Sequence, residues 1–190
     1  GTVDEDTAVD ALTWYADTDS DGYGDAAVMD IECYQPTAYV ADNTDCDDAD
    51  ADTYPGADEY CDGHDDNCDG DTDEDASVDV STWYADADSD GYGDAAVTDM
   101  DCYLPTGYVA DDTDCDDTDA DTYPGAEEWC DGHDDNCDGI TDEDDSMDSI
   151  TWYIDADGDG EGDSSISGDS CYGATGYVEN STDCDDTNAV

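Results

Sequence analysis

Apolar residues in this chain fall in short bursts separated by long polar stretches. Thr13-Trp14-Tyr15-Ala16 combines aromatic and β-branched residues and predicts a short strand. A loop follows, then a second extended stretch around Tyr34 and Tyr39-Val40, so a small hairpin is expected. Tyr54-Pro55-Gly56-Ala57-Asp58-Glu59 predicts a turn leading into a single helical turn, because proline is tolerated at the first helical position. The remainder reads as loop. Trp14, Tyr15, Tyr34, Tyr39 and Tyr54 hold most of the large apolar surface and are expected to form a miniature core in each repeat.

The bursts are periodic. Trp14, Trp83 and Trp152 are spaced by 69 residues, and the same spacing relates Cys33, Cys102 and Cys171, and Cys46, Cys115 and Cys184. Such self-similarity marks an array of small units that lean on their neighbours. The expected divisions are 1–13 as the tail of a preceding repeat, 14–82 as repeat 1, 83–151 as repeat 2 and 152–190 as a truncated repeat 3, together a window on a longer polymer. The fold class expected is small β and irregular: a linear array of 69-residue tandem repeats with short β-hairpins and EF-hand-like calcium loops, stapled by disulfides, with little helix.

Charge then changes the picture. There is no Lys or Arg, and 61 acidic residues give a formal charge of -61, so bound cations must offset the self-repulsion of a compact state. The metal-free chain is expected to be largely unfolded. Phe is absent and Leu and Ile are scarce, which argues against a large aliphatic core. Ten cysteines in so polar a chain point to an oxidising, extracellular setting where disulfides replace the missing core. No apolar run reaches the ~20 residues of a membrane span, and a surface without positive charge is a poor partner for nucleic acid.

The acidic residues are phased around glycine. Asp17, Asp19, Asp21 and Asp25 occupy loop positions 1, 3, 5 and 9, with Gly22 at 6 and the Tyr23 carbonyl at 7, which is EF-hand-type spacing. The copies are Asp86, Asp88, Asp90, Tyr92 and Asp94, and Asp155, Asp157, Asp159, Glu161 and Asp163. Position 12 is Val28, Val97 or Ile166 rather than a bidentate glutamate, so another carboxylate must finish the shell. The expected source is the cluster Asp45, Asp47 and Asp48, repeated as Asp114, Asp116 and Asp117 and as Asp183, Asp185 and Asp186. A second loop holds Asp65, Asn67, Asp69, Asp71 and Asp73, with the copy Asp134, Asn136, Asp138, Ile140 and Asp142, position 7 again acting through its carbonyl. Gly1 to Asp4 reads as the second half of such a loop. A merely solvating acidic surface would use Asp and Glu interchangeably, whereas Asp dominates at these phases, and an oxygen-only donor set favours calcium over magnesium. Affinity per site is expected at ~10⁻⁴ to 10⁻³ M.

The third repeat retains only Cys171 and Cys184, so local pairing of every thiol predicts Cys33–Cys46, Cys61–Cys68, Cys102–Cys115, Cys130–Cys137 and Cys171–Cys184. His64 and His133 stand in Cys-Asp-Gly-His-Asp-Asp-Asn-Cys and read as exposed loop residues, with a transition metal as the rival reading.

Trp-Tyr-x-Asp-x-Asp-x-Asp-Gly-Tyr-Gly-Asp, Cys-x-x-Pro-Thr-Gly-Tyr-Val, Thr-Asp-Cys-Asp-Asp, Tyr-Pro-Gly-Ala-x-Glu-x-Cys-Asp-Gly and Asp-Asn-Cys-Asp-Gly together resemble the MopE-type metal-binding motif repeats of secreted and surface proteins of bacteria and archaea. The Asp-rich loops also look like thrombospondin type 3 repeats, whose calcium ions replace a hydrophobic core. The resemblance implies an extracellular location and metal binding, and its name implies copper, which only His64 and His133 could support here.

The function expected is therefore a calcium-binding structural segment of an extracellular filament, stalk or adhesin, with calcium rigidifying the array and other copies of itself as head-to-tail partners. The alternative is an extracellular protein that buffers calcium or scavenges copper. No enzyme is expected, because each carboxylate pair recurs in every repeat and no converging set of catalytic roles is present.

Overall fold

The computed structural model describes residues 10–185 and 187, so the half-loop expected at Gly1 to Asp4 and the cluster member Asp186 lie outside the described residues. No helix forms among the described residues. Each repeat instead builds one three-stranded antiparallel sheet. The strands are β1 (Leu12–Ala16), β2 (Asp25–Glu32) and β3 (Tyr39–Val40), then β4 (Ser81–Ala85), β5 (Asp94–Asp101) and β6 (Tyr108–Val109), then β7 (Ile150–Ile154), β8 (Asp163–Ser170) and β9 (Tyr177–Val178). The Trp-Tyr strand is central in each sheet, in the orders β2-β1-β3, β5-β4-β6 and β8-β7-β9.

The hairpin partner of the Trp-Tyr strand differs from expectation. It is the stretch directly after the metal loop, with Leu12 opposite Glu32 and Tyr15 opposite Met29, while Tyr39-Val40 adds on the other side of β1. The register shifts between Tyr15 and Ala16, so that Ala16 faces Asp25. This bulge accommodates the loop that joins the two strands. The Trp14 indole N–H donates to the Glu32 carbonyl at 3.1 Å, and Trp152 repeats the bond to Ser170 at 3.0 Å, which ties the ring to the strand end.

The expected helical turn after Pro55 does not form. Gly56 turns the chain with φ 88°, but the Glu59 carbonyl accepts from the Val78 N–H at 2.8 Å and is thereby committed outside any local helix. The expected aromatic core is also corrected. No described side chain is fully buried, Tyr34 is 72% exposed, and the buried positions are mostly polar: Thr53, Glu59, Asp66, Asp73 and Ser77, with Thr122, Glu128, Asp135 and Ser146 as copies. Tyr54 instead stacks on Tyr23 with ring centroids 5.5 Å apart, and Tyr123 on Tyr92 likewise. With a polar interior, hydrogen bonds, disulfides and charge compensation must supply what apolar burial usually supplies.

The disulfides are Cys46–Cys68, Cys61–Cys102, Cys115–Cys137 and Cys130–Cys171. None of the five pairings expected from local matching is present. Cys46 folds against the second loop, where its sulfur lies 3.2 Å from the Asp65 carbonyl, so Cys68 rather than Cys33 is within bonding reach. Cys61 bonds across to Cys102 of the next repeat, and Cys130 to Cys171. Local matching fails because Cys46 and Cys115 meet the second loop of their own repeat, while Cys61 and Cys130 bridge to the next one. By loop-closure entropy, bridges spanning 22 and 41 residues stabilise by roughly 3–4 kcal/mol each.

The chain divides into two compact units. One comprises the residues up to Thr82 with Met100–Tyr103, the other Trp83–Asp99 with Leu104 onward. The first holds the β1–β3 sheet and Cys61–Cys102, the second the β7–β9 sheet and Cys130–Cys171.

Candidate metal sites

The first loop begins where β1 ends. Gly22 adopts φ 104°, a left-handed conformation open to glycine, and Gly91 and Gly160 repeat it at 102° and 93°. Gly24 serves differently. A Cβ there would stand 2.8 Å from the Ala16 carbonyl oxygen and 3.0 Å from that of Asp42, so only glycine lets the chain leading to Asp45 lie against the loop. Backbone bridges Asp25 to Asp45 and Asp163 to Asp183 complete this approach.

Within the loop each aspartate divides its two oxygens between tasks. Asp19 Oδ1 accepts from the Asp21 N–H at 3.2 Å, Asp21 Oδ1 from the Tyr23 N–H at 2.8 Å and Asp45 Oδ1 from the Asp47 N–H at 2.8 Å. The other oxygens, Asp19 Oδ2, Asp21 Oδ2 and Asp45 Oδ2, are shielded from solvent and accept no hydrogen bond, as is Asp17 Oδ1. Ligand oxygens of Asp17, Asp19 and Asp21 lie within 4.8 Å of one another, and so do those of Asp19, Asp45 and Asp48. Asp48 is anchored by the Thr18 N–H and hydroxyl, each at 2.7 Å. The second repeat is similar: Asp88 Oδ2, Asp90 Oδ2 and Asp114 Oδ2 are shielded without a hydrogen bond and Asp86, Asp88 and Asp90 are grouped, but Asp86 Oδ1 accepts from the Ser89 N–H and the backbone bridge joins Asp94 to Thr113. In the third, Asp157 Oδ2 and Asp183 Oδ2 are the shielded oxygens, while Asp155 accepts from the Gly158 and Gly160 N–H groups.

Desolvation by burial raises the Asp19 carboxyl above its ordinary value, and the charges of Asp21, Asp48 and Asp17 add to the effect. Burial, then neighbouring carboxylates, raises Asp45, Asp88 and Asp114 in the same way. Several carboxylate oxygens turned inward toward one another without a hydrogen-bond donor fit a hard cation with oxygen ligands.

Several expected ligands also hold turns of their own. Asp25 Oδ1 accepts from the Ala27 N–H at 2.7 Å at the start of β2, and Asp94 and Asp163 cap β5 and β8 in the same manner at 2.8 Å. Asp47 is exposed and closes its own turn on the Ala49 N–H, and Asp116 holds the Thr118 hydroxyl. Asp185 accepts from the Thr187 hydroxyl. Tyr23 and Tyr92 at position 7 use their rings for stacking, which leaves their carbonyls for the loop. Glu161 donates its N–H to Asp159.

The second loop closes by another route. Both Asp65 oxygens accept from its own turn, from the Asp69 and Gly70 N–H groups, and Asn67 Oδ1 also accepts from Asp69. Asp69 receives the Asp71 N–H. Asp73 leaves the loop: one oxygen accepts from the Gly63 N–H at 2.9 Å and the other from the Tyr103 hydroxyl, the hydroxyl bond first and then the amide lowering its carboxyl pKa. Asp134, Asn136 and Asp138 repeat the turn, the Ile140 N–H donates to Asp138, and Asp142 pairs with Gly132 and with the Tyr172 hydroxyl at 2.7 Å. The inward oxygen here belongs to Glu74 Oε2, with Glu143 Oε2 as its copy, shielded and without a hydrogen bond. Desolvation raises the Glu143 carboxyl, with Glu128 and Asp138 adding repulsion. Glu59 organises this half of the repeat, accepting from the Asn67 N–H at 3.1 Å and the Asp73 N–H at 3.2 Å, and Glu128 does the same for Asn136 and Asp142. The loop spacing does not single out Glu74 and Glu59. Their recurrence as Glu143 and Glu128 in a chain that prefers aspartate was the available signal.

His64 is the remaining candidate. Its ring lies 4.0 Å from Asp62 with the side chain 70% exposed, and ligand atoms of Asp62, His64 and Asp66 fall within 4.8 Å of one another.

Comparison with curated proteins and with solved structures gives no match. The family model Cu-binding MopE, described as a putative metal-binding motif, matches residues 45–74, 114–143 and 183–190. Each matched stretch begins at the aspartate that closes the first loop, and the two longer ones end just after the second loop, at Glu74 and Glu143. The chain is therefore a metal-binding repeat protein that carries the MopE-type motif in successive copies.

Proposed function

We propose that this chain is a calcium-binding structural segment of an extracellular filament, stalk or adhesin, in which calcium acts as a folding element. The observation that carries this reading is the set of shielded carboxylate oxygens without hydrogen bonds at Asp17, Asp19, Asp21 and Asp45. An all-oxygen donor set drawn from distant segments suits calcium, which tolerates irregular shells, better than magnesium, which demands a near-ideal octahedron. Asp17, Asp19, Asp21, Asp45 and Asp48 would hold one ion per repeat, with the Tyr23 carbonyl completing the shell. Asn67, Asp69 and Glu74 are the candidates for a second. Calcium supplies charge neutralisation there, and the residues themselves orient the loop.

Cross-repeat disulfides and a charge of -61 favour a secreted array with other copies as head-to-tail partners. The recurrence of every carboxylate pair suits a scaffold rather than a catalyst. The test is titration of chelated, disulfide-intact protein with calcium, followed by circular dichroism and elemental analysis. Ordering of the fold with at least one calcium per repeat is expected, and a fold that persists unchanged after calcium removal would falsify the proposal.

A second reading, capture of a transition metal, is favoured by the Asp62, His64 and Asp66 group and by the family's name. Copper binding that survives calcium saturation and disappears in His64→Ala with His133→Ala would support it.

A further inference from the structure

The disulfide connectivity has a gap. Cys46–Cys68 and Cys61–Cys102 overlap across residues 61–68, so a backbone break anywhere between Cys46 and Cys102 leaves both pieces joined by a disulfide. Cys115–Cys137 and Cys130–Cys171 protect the stretch from Cys115 to Cys171 in the same way. Between Cys46 and Cys171, only a break within residues 103–114 divides the chain. The shared stretch Cys61-Asp-Gly-His-Asp-Asp-Asn-Cys68 contains no Tyr, Trp, Phe or Leu, and Cys130 to Cys137 is identical. The gap, by contrast, contains Tyr103 and Tyr108, while the bond after Leu104 is blocked by Pro105. Tyr103 is 62% exposed.

The gap is held down by the same residues that close the first metal loop of its repeat. The Ala87 N–H donates to Asp117 Oδ1 at 2.7 Å, the Asp114 N–H to the Gly93 carbonyl at 3.3 Å and the Asp86 N–H to the Gly107 carbonyl at 3.0 Å. Strand β6, inside the gap, pairs Val109 with Tyr84 and Tyr108 with Ala85. Asp88 Oδ2, Asp90 Oδ2 and Asp114 Oδ2 lie shielded behind these bonds without hydrogen-bond donors. Without a cation their mutual repulsion pushes Asp114 from the loop; with one, the same charges draw it in.

We infer that a cation held between the Asp86–Asp90 loop and Asp114 guards the one stretch between the two disulfide pairs where a single cut parts the chain. A cut elsewhere between Cys46 and Cys171 is tolerated by covalent connectivity, and a cut in the gap is prevented by the ion. This inference rests on the proposed binding of calcium in the first loop. It extends that reading from folding to survival under proteolysis.

The test is digestion of the disulfide-intact chain with chymotrypsin in excess calcium or in chelator, followed by non-reducing electrophoresis and mass mapping of new termini. In chelator the material between Cys46 and Cys171 is expected to fall into two disulfide-held bodies with new ends after Tyr103 or Tyr108. Calcium should slow that separation by about tenfold or more, because cutting requires local opening. Asp114→Asn, which keeps an acceptor for the Asp116 N–H, and Asp117→Ala should each separate in calcium at the chelator rate. New ends between Cys46 and Cys171 that part the chain outside residues 103–114 would overturn the connectivity argument. Calorimetry on the same sample separates the remaining outcomes. Calcium binding with an unchanged separation rate overturns this inference alone, and absence of calcium binding overturns the proposed function.

Discussion

The two loops of one repeat share the spacing Asp-x-Asp/Asn-x-Asp-Gly yet are closed by opposite means. The Asp17–Asp25 loop borrows Asp45 and Asp48 from a segment more than a strand away, and the fold reserves glycine at position 24 to let that segment in. The Asp65–Asp73 loop is closed by the very next residue, Glu74, while Asp73 is drawn off by Gly63 and Tyr103. The first loop thus stores its stability in a long-range contact that repulsion opposes. The second is already stitched by Glu59, by its own turn bonds and by two disulfides. Identical spacing therefore does not imply equal dependence on the ion.

The sharpest way to break the comparison is Gly24→Ala. The new methyl meets backbone oxygens of Ala16 and Asp42, and overpacking of this kind costs about 1–3 kcal/mol. The first loop's calcium binding should be lost or severely weakened in calorimetry, with the second loop's amide signals unchanged in nuclear magnetic resonance. Next in size, Asp45→Asn should weaken the first loop's ion by about tenfold or more by removing one charge from the shell. Glu74→Gln should act on the second loop alone. Equal loss at both loops in either variant would show that they are one site.

Acidity sharpens the contrast between ion-free and ion-loaded forms. Burial raises the Asp19, Asp45, Asp88 and Asp114 carboxyls in the folded chain, so without calcium the fold holds these protons more tightly than the unfolded chain does. Its stability is then expected to rise as pH falls from neutrality toward the ordinary aspartate range, and to fall again as pH rises. Calcium reverses the sign, because protons compete with it for the same oxygens. The folded fraction followed by circular dichroism against pH, with and without calcium, should therefore change in opposite directions. Parallel curves would remove the carboxylate cluster from the explanation.

The smallest expected effect is that of Tyr172→Phe. The Tyr172 hydroxyl bonds Asp142 at 2.7 Å, whereas the shielded oxygen of this half of the repeat belongs to Glu143. A slight loss of thermal stability with unchanged calcium affinity is expected. A large loss of affinity would return Asp142 to the ligand shell.

Much of this was legible in the residues. Local rules need only neighbours along the chain, so Gly22 at the left-handed position, the strand at Trp14-Tyr15 and the aspartate phases around them could be read directly. The absence of a twelfth ligand at Val28 also pointed to a distant carboxylate, and Asp45 and Asp48 do lie beside Asp19. Other features were not legible. Asp73 sits at the correct loop phase but is claimed by a hydroxyl from Tyr103, 30 residues on, which no local pattern announces.

The sequence by itself determined the period, the acidic loops and the reliance on disulfides, and it led to the expectation of bound cations, because these follow from composition, from self-similarity along the chain and from short-range spacings. Tertiary structure alone decided which cysteines meet, which half of each carboxylate faces inward and where covalent continuity lapses. Pairing across 22 or 41 residues depends on which segments fold together, and in a chain with so little apolar surface that choice is made by hydrogen-bond geometry and charge rather than by a hydrophobic pattern.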